Sequence, residues 1–396
     1  MRVGVRNKVV KNSFREGAIF VLLLYIEKEI ILMKLNSTPK QDGFYMPSEL
    51  SEHKCTYLLW PERPDNWRGG AKPAQKAFRE VVEKIAKHEP VVLGVNSSQY
   101  AHVLGMNMPN VSVVEISNND SWIRDTGATM VINDAGEMRA VDWEFNGYGG
   151  LVNGIYFPWD LDDAIAAKMA AIEKVDRYRT EGFVLEGGSV HSDGEGTLLV
   201  TEETLLDEGR NPGLSKEEIE KFLLDYCGAE KVLWIPYGIY KDEDTNGHVD
   251  NICQFVAPGK VVLAWEDNPD DPQYERSVKA LEYLQSETDA KGRQLEIVKI
   301  HVPNVVTITK EESEGVDVVE GTFPRNEGDR LPASYINYYN CNGAIILPVF
   351  NDPHDEDAVR ILQELFPDRV IETVYAREIL LGGGNIHCIT QQVPKI

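Results

Sequence analysis

The chain reads as an α/β protein in which one supersecondary unit is used five times and closes into a pseudo-symmetric arrangement. Three features point to this. Amphipathic helix stripes recur five times, a short apolar strand follows each, and most of those strands lead into two apolar runs joined by a turn. Clusters of chemically active residues fall at the same place in successive units, at or just before the first strand of each pair. Units packed around an axis bring such clusters to one centre, whereas an open doubly wound sheet scatters them. The 396 residues suffice for one large core, and no Ser- or Pro-rich linker divides the chain after residue 45, so a single domain is expected.

Pro73 opens the first helix, with Phe78, Val81, Val82 and Ile85 on one face. Asp160 leads into the second, with Ile165, Met169 and Ile172. Ser215 and Glu218 form a capping box ahead of Ile219, Phe222, Leu223 and Tyr226, and Gly228 stops that helix. Val278, Leu281 and Leu284 mark the fourth; Ala358, Ile361, Leu362 and Leu365 mark the fifth, ended by Pro367. Strands are expected at 91–95, around 181–185, and at 231–235, 295–301 and 370–376. Turn-linked pairs are expected at 131–141, 190–200, 256–262 and 339–345. The polar clusters lie at 122–127, 185–188, 247–251, 335–340 and 384–388.

Hydrophobic content of 42% and charged content of 26% are ordinary for a globular protein, but the formal charge of -24 is not. It weighs against nucleic acid or an anionic membrane as partner, since both require clustered Lys and Arg. Acidity attracts cationic small molecules, although it also serves plain solubility. Cys55, Cys227, Cys253, Cys341 and Cys388 are scattered and form no Cys-x-x-Cys pair, which indicates neither a disulfide framework nor a zinc ribbon. A reducing, cytoplasmic setting is expected, with the first four cysteines packing as small hydrophobes. Residues 1–32 carry basic residues followed by the apolar run 18–26, too short to span a bilayer and without a small-residue cleavage site before the next charges. Met33 is the expected natural start, with 1–32 an extension without a folded role and 33–396 the catalytic domain.

Cys388 stands five residues after Gly383, behind the run Gly382-Gly383-Gly384, where glycines bring backbone close to a small ligand and a thiol on a strand edge is aimed at it. In a strand His248 and Asp250 share a face, while His387 and Cys388 diverge, making His387 a structural hydrogen-bonder. As a metal pair, His248 and Asp250 lack a third ligand at suitable spacing, so no metal is expected. Glu186 sits between Phe183-Val184-Leu185 and Gly187-Gly188, a setting that buries the charge and requires a partner; His248 is the natural one. Arg124 and Asp125 read either as a local ion pair or as part of a site, and Trp122 beside an inward carboxylate suits a flat cation with an apolar tail. Asp120 lies farther from the following strand, and Trp67 has no assigned place beyond a possible channel wall.

Asn119-Asp-Ser-Trp-Ile-Arg-Asp-Thr-Gly127, Leu185-Glu-Gly-Gly188, Thr245-Asn-Gly-His-Val-Asp-Asn251 and Gly382-Gly-Gly-Asn-Ile-His-Cys-Ile-Thr-Gln-Gln392 resemble the agmatine deiminase (agmatine iminohydrolase) family of the guanidino-group-modifying, or pentein, superfamily. The resemblance runs from about Pro39 to the C-terminus and takes in Tyr45-Met46-Pro47 and the segment Trp60 to Trp67. It implies a five-bladed α/β propeller. It also implies that Asp125 and Asp250 grip a guanidinium, with Trp122, Gly384 and Asn385 completing the substrate pocket. By the same resemblance Cys388 attacks the guanidinium carbon and His248, oriented by Glu186, protonates the leaving ammonia and then activates water. Agmatine would yield N-carbamoylputrescine and ammonia through an amidino-cysteine intermediate, in polyamine metabolism, without metal or organic cofactor, in a dimeric or tetrameric homo-oligomer. Two other readings stay open: a deiminase for free or peptidyl arginine, and a non-catalytic guanidinium- or polyamine-binding protein, which would not need the Cys388 thiol.

Overall fold

The structure, a computed structural model, describes residues 32–396, so the extension expected at 1–32 lies outside the described residues except at Leu32. The strands form five small sheets with one shared plan: an antiparallel pair extended by a parallel strand. A parallel neighbour needs a crossover, and in every sheet a helix supplies it. Lys72–Ile85 links His53–Leu59 to Val91–Val95, and Ile165–Glu173 links Met138–Glu144 to Arg177–Val184. Lys216–Tyr226, Pro272–Ser286 and Asp355–Leu365 do the same in the other three.

Four antiparallel pairs are the hairpins expected from the turn signals, such as Thr129–Ile132 with Met138–Glu144 and Cys253–Ala257 with Lys260–Trp265. The fifth pair has no turn. The C-terminal strand Gln391–Pro394 lies antiparallel to His53–Leu59, joining the two ends of the described chain in one sheet.

Helix boundaries follow local chemistry. The Ser215–Glu218 capping box is present in full, and Gly228 leaves that helix with φ +62°. Two faces are rotated from expectation. Ile165–Glu173 buries Ile165, Ala166, Met169 and Ala170, which leaves Ile172 exposed, because the small alanines let that side of the helix approach its sheet. Pro272–Ser286 buries Gln273, Ser277, Ala280 and Leu284, so Val278 and Leu281 are only half-buried. Gln273 and Ser277 satisfy each other and the backbone at Tyr240 and Ala264, which makes a polar residue tolerable there.

Each polar cluster sits on a short turn directly before the first strand of a pair. Ile123–Thr126, Gly187–Ser189 and Val249–Ile252 are single helical turns, and residues 335–336 and 386–389 are turns. The expected strand geometry at these points is therefore wrong: a tight turn re-aims side chains in a way that period-2 reasoning misses. No helix among the described residues is long and apolar enough to cross a membrane.

Candidate active site

Asn246 and Gly247 both have positive φ, at 58° and 86°, and swing the chain sharply into His248. This turn packs so closely on Gly238 that a Cβ there would lie 2.3 Å from the Gly247 Cα. His248 itself is extended, and the helical turn begins at Val249. His248 and Asp250 thus reach the same place from opposite sides of a helix start, not from one face of a strand.

His248 is fully buried. Its Nδ1 lies 3.7 Å from Asp125 Oδ1 and its Nε2 lies 3.9 Å from Glu186 Oε2. Burial opposes its charge, but Asp125, Glu186 and Asp250 raise its pKa to about 9, so the imidazolium prevails at neutral pH. Glu186 is held in turn by Arg210, whose Nε donates to Oε1 at 3.1 Å; against the burial penalty, Arg210 and His248 bring the Glu186 pKa down to about 2. The same arginine donates to Thr245 O at 3.1 Å and to Asn246 Oδ1, tying the acid to the turn that presents its partner histidine.

Asp125 accepts from the Tyr148 hydroxyl at 2.8 Å and from the Gly188 N–H at 2.9 Å. It does not pair with Arg124, which turns away to Glu49 at 3.0 Å. Asp250 Oδ2 accepts from His387 Nδ1 at 2.9 Å and lies 3.6 Å from Cys388 Sγ, while Oδ1 is buried with no hydrogen-bond partner. His387 therefore has the structural role expected of it, although Cys388 stands on a turn and not on a strand edge.

Burial, then Asp250 and Asp125, push the Cys388 thiol well above its usual range. The Asn385 backbone N–H and the Asn337 side chain work the other way, with Asn337 Nδ2 donating to Sγ at 3.3 Å. Asn337 is itself fixed by Asn251 and by the His387 N–H. In the buried cluster the acidic groups Asp125, Asp250, Glu186 and Glu49 face the basic groups His248, Arg210, Arg124 and His387.

Beside Cys388 a pocket is walled by Trp122, Tyr148, Ile155 and Asp244 together with Gly382, Gly383 and Gly384. Gly384 is obligatory, since a Cβ would lie 2.6 Å from the Trp122 ring. Asp120 holds the wall in place by accepting from the indole N–H groups of Trp67, at 2.7 Å, and Trp122, at 3.0 Å. Trp67 is not a channel wall; it is buried behind Trp122, with ring centroids 5.1 Å apart. The other four cysteines are buried and free, and burial raises their thiols, which fits a packing role. No group of three or more His, Cys, Asp or Glu among the described residues is arranged to hold a metal ion.

The profile of the Porphyromonas-type peptidyl-arginine deiminases matches residues 45–394, a span that contains every motif discussed above. The chain belongs to this family. A relative from Latilactobacillus sakei subsp. sakei (strain 23K), provisionally named an agmatine deiminase, is 61% identical over 360 residues, 91% of this chain and 98% of its own. Agmatine deiminase of Pseudomonas aeruginosa (strain LESB58) is 54% identical over 359 residues, 90% of this chain and 97% of its own. Among solved structures, agmatine deiminase of Enterococcus faecalis superposes with a TM-score of 0.89 at 49% identity, covering 92% of this chain and 99% of that one. A substrate-bound Cys-to-Ser variant of C. jejuni agmatine deiminase has a TM-score of 0.77 at 25% identity, covering 89% and 96%. The resemblance to agmatine deiminases is thus borne out, as is a mixed α/β single-domain fold.

Within this family member, sequence reasoning missed Glu49, Arg210, Asn337 and Tyr148. Glu49 adjoins Tyr45-Met46-Pro47 and Asn337 lies in the fourth polar cluster, so position hinted at both. Arg210 and Tyr148 lie in irregular segments without periodicity, and nothing local marks them.

Proposed function

We propose that the chain hydrolyses agmatine to N-carbamoylputrescine and ammonia through an amidino-cysteine intermediate. One observation carries this. His248 Nδ1, Asp125 Oδ1 and Asp250 Oδ2 converge within 3 Å of the space beside Gly188, next to the Cys388 thiol, where Asp250 Oδ1 and both His248 nitrogens lack hydrogen-bond partners. Two carboxylates hold a guanidinium and set its central carbon against sulfur. The Cys388 thiolate adds to that carbon, and the C–N bond breaks as His248 gives its proton to the leaving ammonia. Neutral His248 then takes a proton from water, whose oxygen attacks the amidino carbon and displaces the thiolate, releasing the carbamoyl product.

The pocket wall favours agmatine over arginine. Its lining residues include Asp125 and Asp244 and no cation, and Arg325 behind it is held by Asp244 in a two-bond pair at 2.6 and 2.9 Å. A substrate carboxylate finds carboxylates there, whereas a terminal amine finds acceptors. We read the five sheets as blades of a five-bladed propeller, residues 33–396 as its catalytic domain, and the enzyme as a cytoplasmic homo-oligomer in polyamine metabolism.

Ammonia release from agmatine and from arginine, measured side by side on the full chain, tests the reading. Agmatine is expected to be preferred at least about 100-fold in kcat/KM. Preference for arginine overturns the substrate; agmatine bound but unreacted moves the chain to the binding class.

Gly188→Ala probes the convergence itself. Its Cβ would stand 2.7 Å from His248 Nδ1 and 2.9 Å from both Asp125 Oδ1 and Asp250 Oδ2. A displacement of this size is expected to lower kcat/KM about 100-fold, with the circular dichroism spectrum unchanged. Wild-type turnover in this variant would mean that the three groups need not meet there.

A further inference from the structure

We propose that Glu49 is a positioning residue of this site, acting through His387 to hold the Asp250 carboxylate with Oδ2 beside the nucleophile and its charge available to the substrate cation. The inference rests on the reaction proposed above.

Glu49 comes from the turn after Pro47, far in sequence from the catalytic segments, and is 1% exposed. Its two oxygens lie 3.0 and 2.9 Å from His387 Nε2, and Oε1 also accepts from Arg124 Nη1 at 3.0 Å. His387 Nδ1 meets Asp250 Oδ2 at 2.9 Å on its other side. With a carboxylate at each ring nitrogen, only the imidazolium donates to both; a neutral ring turns a lone pair toward one of them. The geometry is thus a relay, Glu49 to His387 to Asp250 to Cys388, built wholly from buried groups.

The charged groups facing His387 are Asp250, Glu49 and Arg124, with the His191 ring 6.4 Å away. Burial and Arg124 oppose protonation of His387, while Glu49 and Asp250 favour it and prevail. Removing the Glu49 charge leaves burial and Arg124 against Asp250 alone. Arg124 also ties the two loops together, since its N–H donates to Cys388 O at 3.1 Å and its Nε to His387 O at 3.3 Å. Glu49 therefore secures the turn that carries Asp125 as well as the turn that carries Cys388.

Glu49→Gln, His387→Asn and the double variant test this, through kcat/KM for agmatine against pH and through carbon-13 histidine NMR. The His387 signal is expected to pass from imidazolium to neutral imidazole at lower pH in Glu49→Gln than in the wild type, so that at a pH where the wild-type ring is still charged the variant ring is neutral. The alkaline limb of Glu49→Gln is expected to move to lower pH by at least about one unit, roughly tenfold in rate at a fixed alkaline pH. In Glu49→Gln/His387→Asn the limb returns, because the asparagine nitrogen stands near the place of Nδ1 and donates to Asp250 at any pH. A Glu49→Gln profile lowered evenly at every pH, a double variant that does not restore the limb, or His387 still charged at that pH in Glu49→Gln overturns the proposal. The NMR comparison does not need turnover. A wild-type chain inactive on agmatine sinks the reaction, while the spectra still decide whether Glu49 sets the charge on His387.

Discussion

Cys388→Ala is expected to lower ammonia release from agmatine at least about 10⁵-fold while agmatine still binds. No other described thiol touches the pocket, and the carboxylates proposed to hold the guanidinium do not depend on sulfur. A second consequence follows from charge. In the free protein the Cys388 thiol is protonated, since burial, Asp250 and Asp125 raise it well above its usual range. His248, with a pKa of about 9, is already charged at neutral pH and cannot accept the thiol proton. Bringing in a guanidinium adds one positive charge and offsets the effect of the two aspartates that disfavoured the thiolate. The proton then leaves for solvent. A pH indicator read in stopped flow, before turnover, should therefore show about one proton released per agmatine bound by the wild type and none by Cys388→Ala. The sign for activity is equally definite: kcat/KM rises with pH while binding sheds the thiol proton, and the alkaline limb, where it stops rising, begins at about 9 as His248 loses the proton proposed to go to ammonia. Turnover by the alanine variant within tenfold of wild type would remove Cys388 from the mechanism. Equal proton release by both proteins would remove the thiol from the charge argument.

Asp250→Asn is expected to reduce turnover about 10³-fold, since truncating one partner of a buried charge pair costs on the order of 3–5 kcal/mol. The amide keeps the size of the carboxylate but loses the charge that is proposed to grip the guanidinium and that answers His387. The thiol should move the opposite way. Asp250 lies 3.6 Å from Sγ and is one of the groups that raise it, so its neutralisation makes Cys388 easier to ionise. Alkylation of Cys388 by iodoacetamide at neutral pH is expected to be faster in Asp250→Asn although catalysis collapses. Slower alkylation, or near-normal turnover, would contradict the placement of Asp250 between substrate and nucleophile.

Much of this architecture was legible locally. The five helix stripes and four turn-linked pairs announce themselves because a helix face and a hairpin turn are short-range patterns. The fifth pair was not legible: Gln391–Pro394 and His53–Leu59 meet without a connecting turn, so nothing nearby in sequence joins them. Cys388, His248, Glu186, Asp125 and Asp250 stood out as polar groups in apolar, glycine-rich runs. Their geometry did not, because one helical turn or a left-handed Asn246-Gly247 step replaces the strand on which the alternation argument depended.

The amino-acid sequence by itself determined the repeated unit, the family and the chemical inventory of the site, because each depends on residues close together in the chain. Only the tertiary structure decided who answers whom. Arg124 passes over its neighbour Asp125 for Glu49, Arg210 locks Glu186, and His387 faces away from the pocket to steady Asp250. The reason is physical. A buried charge must find an opposite charge within hydrogen-bond reach, and here those partners lie 75, 24 and 137 residues away in the chain.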